Sequence, residues 1–190
     1  MLTVTRKQFT LEEYHRLDEL GFFGSGERVE LIRGDIIKIA TKRTLHSVCN
    51  SLLLQELFIL LKGKANVRGQ EPMIIPPNSE PEPGVVIAYK KADNYLSSHP
   101  QPQDILLVIE ISESTLKFDQ DVKLSLYAEA EITNFWIFNL LDNQLETYQQ
   151  PYQELNGNYN YRSKQIYLPN EVISIPGFSD IKIELKDFFC

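Results

Sequence analysis

The sequence is poor in the residues that usually announce a chemistry. Of its 190 residues two are cysteine, Cys49 within a helical pattern and Cys190 at the end. They have neither metal-ligand spacing nor a disulfide framework, so Cys49 reads as core and Cys190 as an exposed tail residue. No glycine-rich phosphate loop, Gly-x-Ser-x-Gly elbow or cysteine nucleophile is present, which leaves most nucleotide-binding and hydrolase classes without support. No apolar run approaches the roughly twenty residues that span a bilayer. The stretch from Met1 to Lys7 also lacks the apolar core and cleavage site of a secretory signal, so no membrane association is expected and the cytoplasm is the default location. Positive charge is scarce too. Nineteen Lys and Arg face 26 Asp and Glu, for a net charge of −7, which argues against indiscriminate coating of nucleic acid.

What is present suits one compact domain over residues 1–190, since 43% hydrophobic and 11% aromatic residues can build a sizeable core. Thr10-Leu11-Glu12-Glu13 has capping-box spacing and predicts a short helix over about residues 10–20. Residues 29–32 and 36–39, split by Arg33-Gly34-Asp35, predict a hairpin. Thr44 is expected to cap a longer helix with Leu45, Val48, Leu52, Leu53, Leu57 and Leu60 on its apolar face, ending near Gly63. Strands are expected over residues 67–75, 85–89, 105–111, 135–140, 144–149 and 158–168. Between the first two lies a stiff connector, Pro76-Pro77-Asn78-Ser79-Glu80-Pro81-Glu82-Pro83, because each proline fixes its own φ and keeps its predecessor extended. Helices flanking a run of strands, with a crossover helix between Ile111 and Phe135, indicate an α/β or α+β domain with a mixed sheet.

The most informative stretch runs from Asp104 to Asn139. Ile105-Leu106-Leu107-Val108-Ile109 reads as a strand apolar on both faces, so Glu110 leaves the sheet at or near a buried edge. Asp119-Gln120-Asp121 can cap a helix with Val122, Leu126 and Ala130 on one stripe and Lys123 and Tyr127 on the next. Two arrangements are open. Glu110 caps the following turn while Lys123 is solvated, or carboxylate and ammonium meet beside the sheet.

The wording Leu106-Leu107-Val108-Ile109-Glu110-Ile111-Ser112, followed by Lys123-Leu124-Ser125-Leu126-Tyr127-Ala128, closely resembles the Uma2 family, also called DUF820, over nearly the whole chain. That family is assigned to the PD-(D/E)xK nuclease-like superfamily, which includes restriction enzymes. The resemblance implies a restriction-endonuclease-like mixed β-sheet flanked by helices and metal-dependent hydrolysis of DNA phosphodiesters. Mg²⁺ or Mn²⁺ would be the cofactor, since hard oxygen ligands suit these ions and leave positions for water and phosphate. A net negative charge does not oppose this, because a metal site concentrates acids in one cleft while basic residues elsewhere hold the backbone. Lys38, Lys42, Arg43, Lys62, Lys64 and Arg68 are a modest basic excess in the first third of the chain.

By the same resemblance Glu110 is the second acid of the nuclease motif, with the Ile111 carbonyl as a further metal ligand. The superfamily's usual lysine position, two residues after that acid, holds Ser112, and Lys123 on the following helix takes its place, as in Uma2-like sequences. Glu30 matches the family's early glutamate, which helps hold a metal or its water. Gln70 and His46 match recurrent positions as accessory residues. One departure stands out. The family writes Pro-x-Pro-Asp before an apolar strand, whereas this chain has Pro81-Glu82-Pro83-Gly84, so the first metal-binding aspartate is a glycine. Glu82 or Glu80 is then the candidate replacement. The expectation is a DNA endonuclease of impaired activity, with a homodimer as expected assembly. The alternative is a non-catalytic descendant binding nucleic acid or a protein partner.

Overall fold

The computed structural model describes residues 5–39 and 41–189; Cys190 lies outside the described residues. Helix α1 (Leu11–Glu19) starts at the expected capping box, with Thr10 and Glu13 bonding each other's backbone. Strands β1 (Val29–Ile32) and β2 (Asp35–Lys38) pair antiparallel through Arg33 and Gly34, whose φ values of 49° and 81° give the turn that matches strand twist. Gly34 is required there for a second reason. A Cβ on it would lie 2.6 Å from the Gln8 side chain and 3.1 Å from the Phe9 carbonyl.

Helix α2 spans Thr44–Leu60, with Arg43 rather than Thr44 as its N-cap. It stops three residues before Gly63, because the chain leaves helical geometry at Leu61 and turns through Gly63 at φ 77°. The strand expected over 67–75 is β3 (Ala65–Gly69) alone. Gln70 adopts a left-handed φ of 56° immediately afterwards, which breaks the extended run before Pro72.

Among the described residues, six strands form one mixed sheet in the order β3, β4 (Val85–Tyr89), β5 (Ile105–Ser112), β6 (Asn134–Asn139), β7 (Gln144–Gln153), β8 (Tyr159–Tyr167). All neighbours are antiparallel except β5 and β6, which run parallel and so require a crossover. The crossover is a single helical run: α3 (Leu116–Phe118), a π-helical turn over Asp119–Lys123, then α4 (Leu124–Glu129). The expected cap at Asp119-Gln120-Asp121 is not formed. Helix begins at Leu116, and Asp119 lies inside the run because its carboxylate accepts from Ser112 and Thr115 hydroxyls, both at 2.7 Å.

The run closes at Ala130 with a left-handed Glu131, φ 57°, whose N–H donates to the Ala128 carbonyl while that of Ile132 donates to Tyr127. An additional hairpin, β9 (Val172–Ile175) with β10 (Phe178–Glu184), was not expected from the sequence. One face of the sheet packs on α2 and this hairpin, burying Leu53, Leu57, Ile109, Phe138, Ile183 and Phe188. The other packs on α4 and the Ile32 end of β1, burying Val108, Leu126, Tyr127, Phe135 and Ile137. Each such side chain removed from water contributes about 1.5–3 kcal/mol. Cys49 is fully buried in the first of these layers.

Candidate functional site

On the α4 side of the sheet, residues distant in sequence meet inside the protein. Lys123 Nζ donates to Glu110 Oε1 at 2.9 Å and to Glu30 Oε1 at 3.0 Å. The Tyr127 hydroxyl donates to the same Glu110 oxygen at 2.8 Å. Backbone amides complete the set, Glu82 N–H donating to Glu30 Oε1 at 2.9 Å and Gly84 N–H to Glu110 Oε2 at 3.3 Å. Glu30, Glu110 and Lys123 are 2%, 6% and 5% exposed, so of the two arrangements left open by the sequence the buried pairing holds.

Each participant is delivered by a specific element. Glu30 comes from β1, Glu110 from the end of β5 and Lys123 from the π-helical turn. That turn sends three side chains to three neighbours: Asp119 to Ser112 and Thr115, Gln120 to Glu146, and Lys123 to the two glutamates. The extra residue of a π turn re-aims side chains that a regular α-helix would space differently, and such turns are frequent at functional sites.

Charges at this depth are costly unless paired. Burial raises both glutamates above the ordinary carboxylate range, with Lys123 opposing. Burial also pushes Lys123 down, but Glu110 and Glu30 outweigh it and hold the ammonium protonated. Tyr127 is raised by burial and by the adjacent Glu110, so it stays a hydrogen-bond donor. Asp119 is raised by burial against the pull of Lys123.

The cluster forms part of the lining of a cavity of about 260 Å³, and Gln70, His46, Gly84, Ile111 and Glu82 line it as well. Gln70 N–H donates to the Gly84 carbonyl at 3.1 Å, tying the left-handed turn after β3 to the start of β4. His46 stands in the first turn of α2, its Nδ1 buried without a partner among the described residues. Burial and the neighbouring Lys42 lower its pKa. Glu82 is engaged by Arg28 at 2.8 Å. Glu80, the other candidate replacement acid, does not line the cavity; it is buried against His15 at 2.7 Å. A Cβ on Gly84 would stand 3.2 Å from the Ile109 carbonyl and from Ile111 Cδ1, so a side chain there needs a shift of a few tenths of an ångström.

The Uma2 family, described as "Putative restriction endonuclease", matches residues 11–186. The chain belongs to the Uma2 family. A solved structure from Anabaena variabilis ATCC 29413, described as a "putative nuclease belonging to DUF820", is similar at 15% identity, covering 95% of this chain and 97% of its own with a TM-score of 0.72. At that identity the likeness speaks for the fold. No curated protein matches the chain. In this Uma2 chain no helix among the described residues is long and apolar enough to cross a membrane.

Sequence reasoning passed over several cavity residues. From the sequence Asp119 reads as a cap and Lys42 only as part of a basic excess, and Arg28 and Glu113 carry no local pattern that marks them. Tyr127 was legible, since it follows Lys123 by four residues and so shares its helical stripe. The donor set as it stands does not fit a divalent ion well. Glu30 Oε1 and Glu110 Oε1 are committed to Lys123, Glu82 to Arg28, and among the described residues no three His, Cys, Asp or Glu side chains are arranged to hold a metal.

Proposed function

We propose that this chain is a nuclease-type phosphodiester hydrolase acting on DNA, whose Mg²⁺ or Mn²⁺ site is one carboxylate short because Gly84 stands where the family writes aspartate. The observation that carries this reading is the convergence of Glu30, Glu110 and Lys123 in one cavity from three separate elements. Convergent ionisable groups with displaced pKa values in a concave site are the usual mark of function. Lys123 neutralises two acids that would otherwise repel, and Tyr127 and the Gly84 amide fix the orientation of Glu110. Holding Glu110 rigidly at the cavity lining prepares it for a hard cation once a second acid is supplied. The Ile111 carbonyl belongs to the proposed ligand set, Glu82 is the candidate replacement acid if it is released from Arg28, and a homodimer belongs to the same reading, because cutting both strands of a duplex calls for two sites.

Wild-type protein is expected to cut DNA weakly or undetectably with Mg²⁺. Gly84→Asp should raise both Mn²⁺ affinity in calorimetry and cleavage, and the gain should vanish in Gly84→Asp/Glu110→Ala. Strong wild-type cleavage abolished by Glu82→Ala would instead make Glu82 the replacement ligand. A Gly84→Asp protein that binds no metal and cuts neither single- nor double-stranded DNA would overturn the reading.

A further inference from the structure

The cavity lining mixes both signs. Glu30, Glu82, Glu110, Glu113 and Asp119 line it together with Arg28, Lys38, Lys42, Arg43 and Lys123, in a chain whose net charge is −7. Ion pairs engage Arg28 with Glu82 at 2.8 Å, Lys38 with Glu27 at 2.8 Å and Arg43 with Glu113 at 3.3 Å. Lys42 differs from all of these. Among the described residues it makes no ion pair and no hydrogen bond, although it is half-buried in the cavity lining. Burial and Arg28 bring its pKa down to about 8, with Glu82, Glu110 and Glu30 opposing. Beside it stands His46, with Nδ1 buried and unpartnered. A half-buried ammonium with no bonded partner is compensated only by solvent and by the more distant Glu82, Glu110 and Glu30, so a bound anion improves its environment.

We propose that Lys42, with Arg28 and His46 beside it, forms the subsite that holds a backbone phosphate of a nucleic acid strand against the Glu110–Lys123 cluster. The ligand is a phosphodiester chain rather than a free phosphate or mononucleotide, as the phosphodiester reading of the cavity requires, and residues of the β1–β2 hairpin, α2, the proline-rich connector and the β5 end all line the site. With no ion pair among the described residues, Lys42 takes the phosphate as its counterion on binding.

This inference rests on the phosphodiester reading of the cavity, yet it is tested without catalysis. Binding of a fluorescent oligothymidylate is measured in EDTA for wild type, Lys42→Ala, Lys42→Arg and Lys62→Ala, the last removing an equal charge from an exposed site outside the cavity. Loss of one phosphate contact should weaken binding about fourfold at physiological salt and lower the salt-dependence slope by about 0.7, the single-strand value. Lys42→Arg should retain most of the affinity, Lys62→Ala should behave as wild type, and the thermal midpoint of Lys42→Ala should not fall. Wild type that fails to bind the oligonucleotide, Lys42→Ala and Lys62→Ala that weaken it equally, or thymidine monophosphate that competes as well as the oligonucleotide would each overturn the subsite. Lys42-dependent binding that persists while Gly84→Asp neither binds metal nor cuts would remove the nuclease reading and leave the subsite standing.

Discussion

At the scale of single residues, the decisive feature is an ammonium serving two buried carboxylates. Removing one partner of such a set leaves uncompensated charge, so Lys123→Met should destabilise the protein at neutral pH by about 3–5 kcal/mol in urea unfolding. Burial holds Glu30 and Glu110 above the ordinary carboxylate range, and Lys123→Met removes the strongest opposing group, leaving the Glu82 amide and the Tyr127 hydroxyl. Protons then bind the folded protein at higher pH than the unfolded chain, so lowering the pH from 7 towards 5 should return part of the lost stability. A deficit in Lys123→Met that is unchanged between these pH values would mean that the acids are solvated after all. Glu131 offers the opposite case. It is exposed and closes α4 at φ 57°, a conformation that costs a side chain with a Cβ about 1 kcal/mol. Glu131→Gly should therefore raise the denaturant midpoint by a comparable amount, without altering nucleic acid binding.

Among the elements, the π-helical turn has the largest consequences because it is anchored at both ends. Its Gln120 donates to Glu146 Oε2 at 2.9 Å, and Glu146 also accepts from Asn139 at 2.9 Å, Lys164 at 2.8 Å and Tyr148 at 2.5 Å. Burial pushes Glu146 up, but Lys164, Tyr148, Asn139 and Gln120 outweigh it and pull the carboxyl down to about 2 from an ordinary 4.5. A depressed pKa adds stability that is complete above 4.5 and lost as pH falls towards 2. Glu146→Gln should accordingly lower the thermal midpoint at pH 6, and its difference from wild type should shrink over that acid window. If the difference is constant down to about pH 2, the carboxylate's charge contributes nothing and the hub acts by shape alone.

For the whole molecule, the sheet is a partition with a dry layer on each side and the site at one end of one layer. The layer on the α2 side is closed by the β9–β10 hairpin and the residues after it, where Phe188, 2% exposed, packs edge-on against Phe138 with ring centroids 5.9 Å apart. Phe188→Ala should cost about 3–5 kcal/mol by leaving a cavity against the sheet. Since that face lies across the sheet from Glu110, Mn²⁺ binding by a Gly84→Asp background should survive the loss at temperatures where the protein remains folded. Calorimetry on the double variant checks this.

Several elements were legible in the sequence because their signals are local. The capping box at Thr10, the uninterrupted apolar runs of β4 and β5 and the Arg33-Gly34 turn each fix structure within a few residues. The family wording also pointed to Glu30, Glu110 and Lys123 before their contacts were known. The C-terminal hairpin was missed although Ile181-Lys182-Ile183-Glu184 alternates apolar and polar residues, because its partner Val172–Ile175 is only four residues long and does not alternate, and the pair is ordered by packing on the sheet. So was the end of β3, where Gln70 takes a left-handed conformation that propensity does not foresee. By itself, then, the sequence determined the order of the principal strands, the crossover between β5 and β6 and the absence of a side-chain ligand at Gly84. Only the tertiary structure decided that Lys123 lies between two acids, that Glu82 is held by Arg28 and Glu80 by His15, and that Lys42 has no ion pair among the described residues. Those pairings depend on charges brought together across tens of residues, where burial makes an unpaired group costly and so selects among contacts that are equivalent in the unfolded chain.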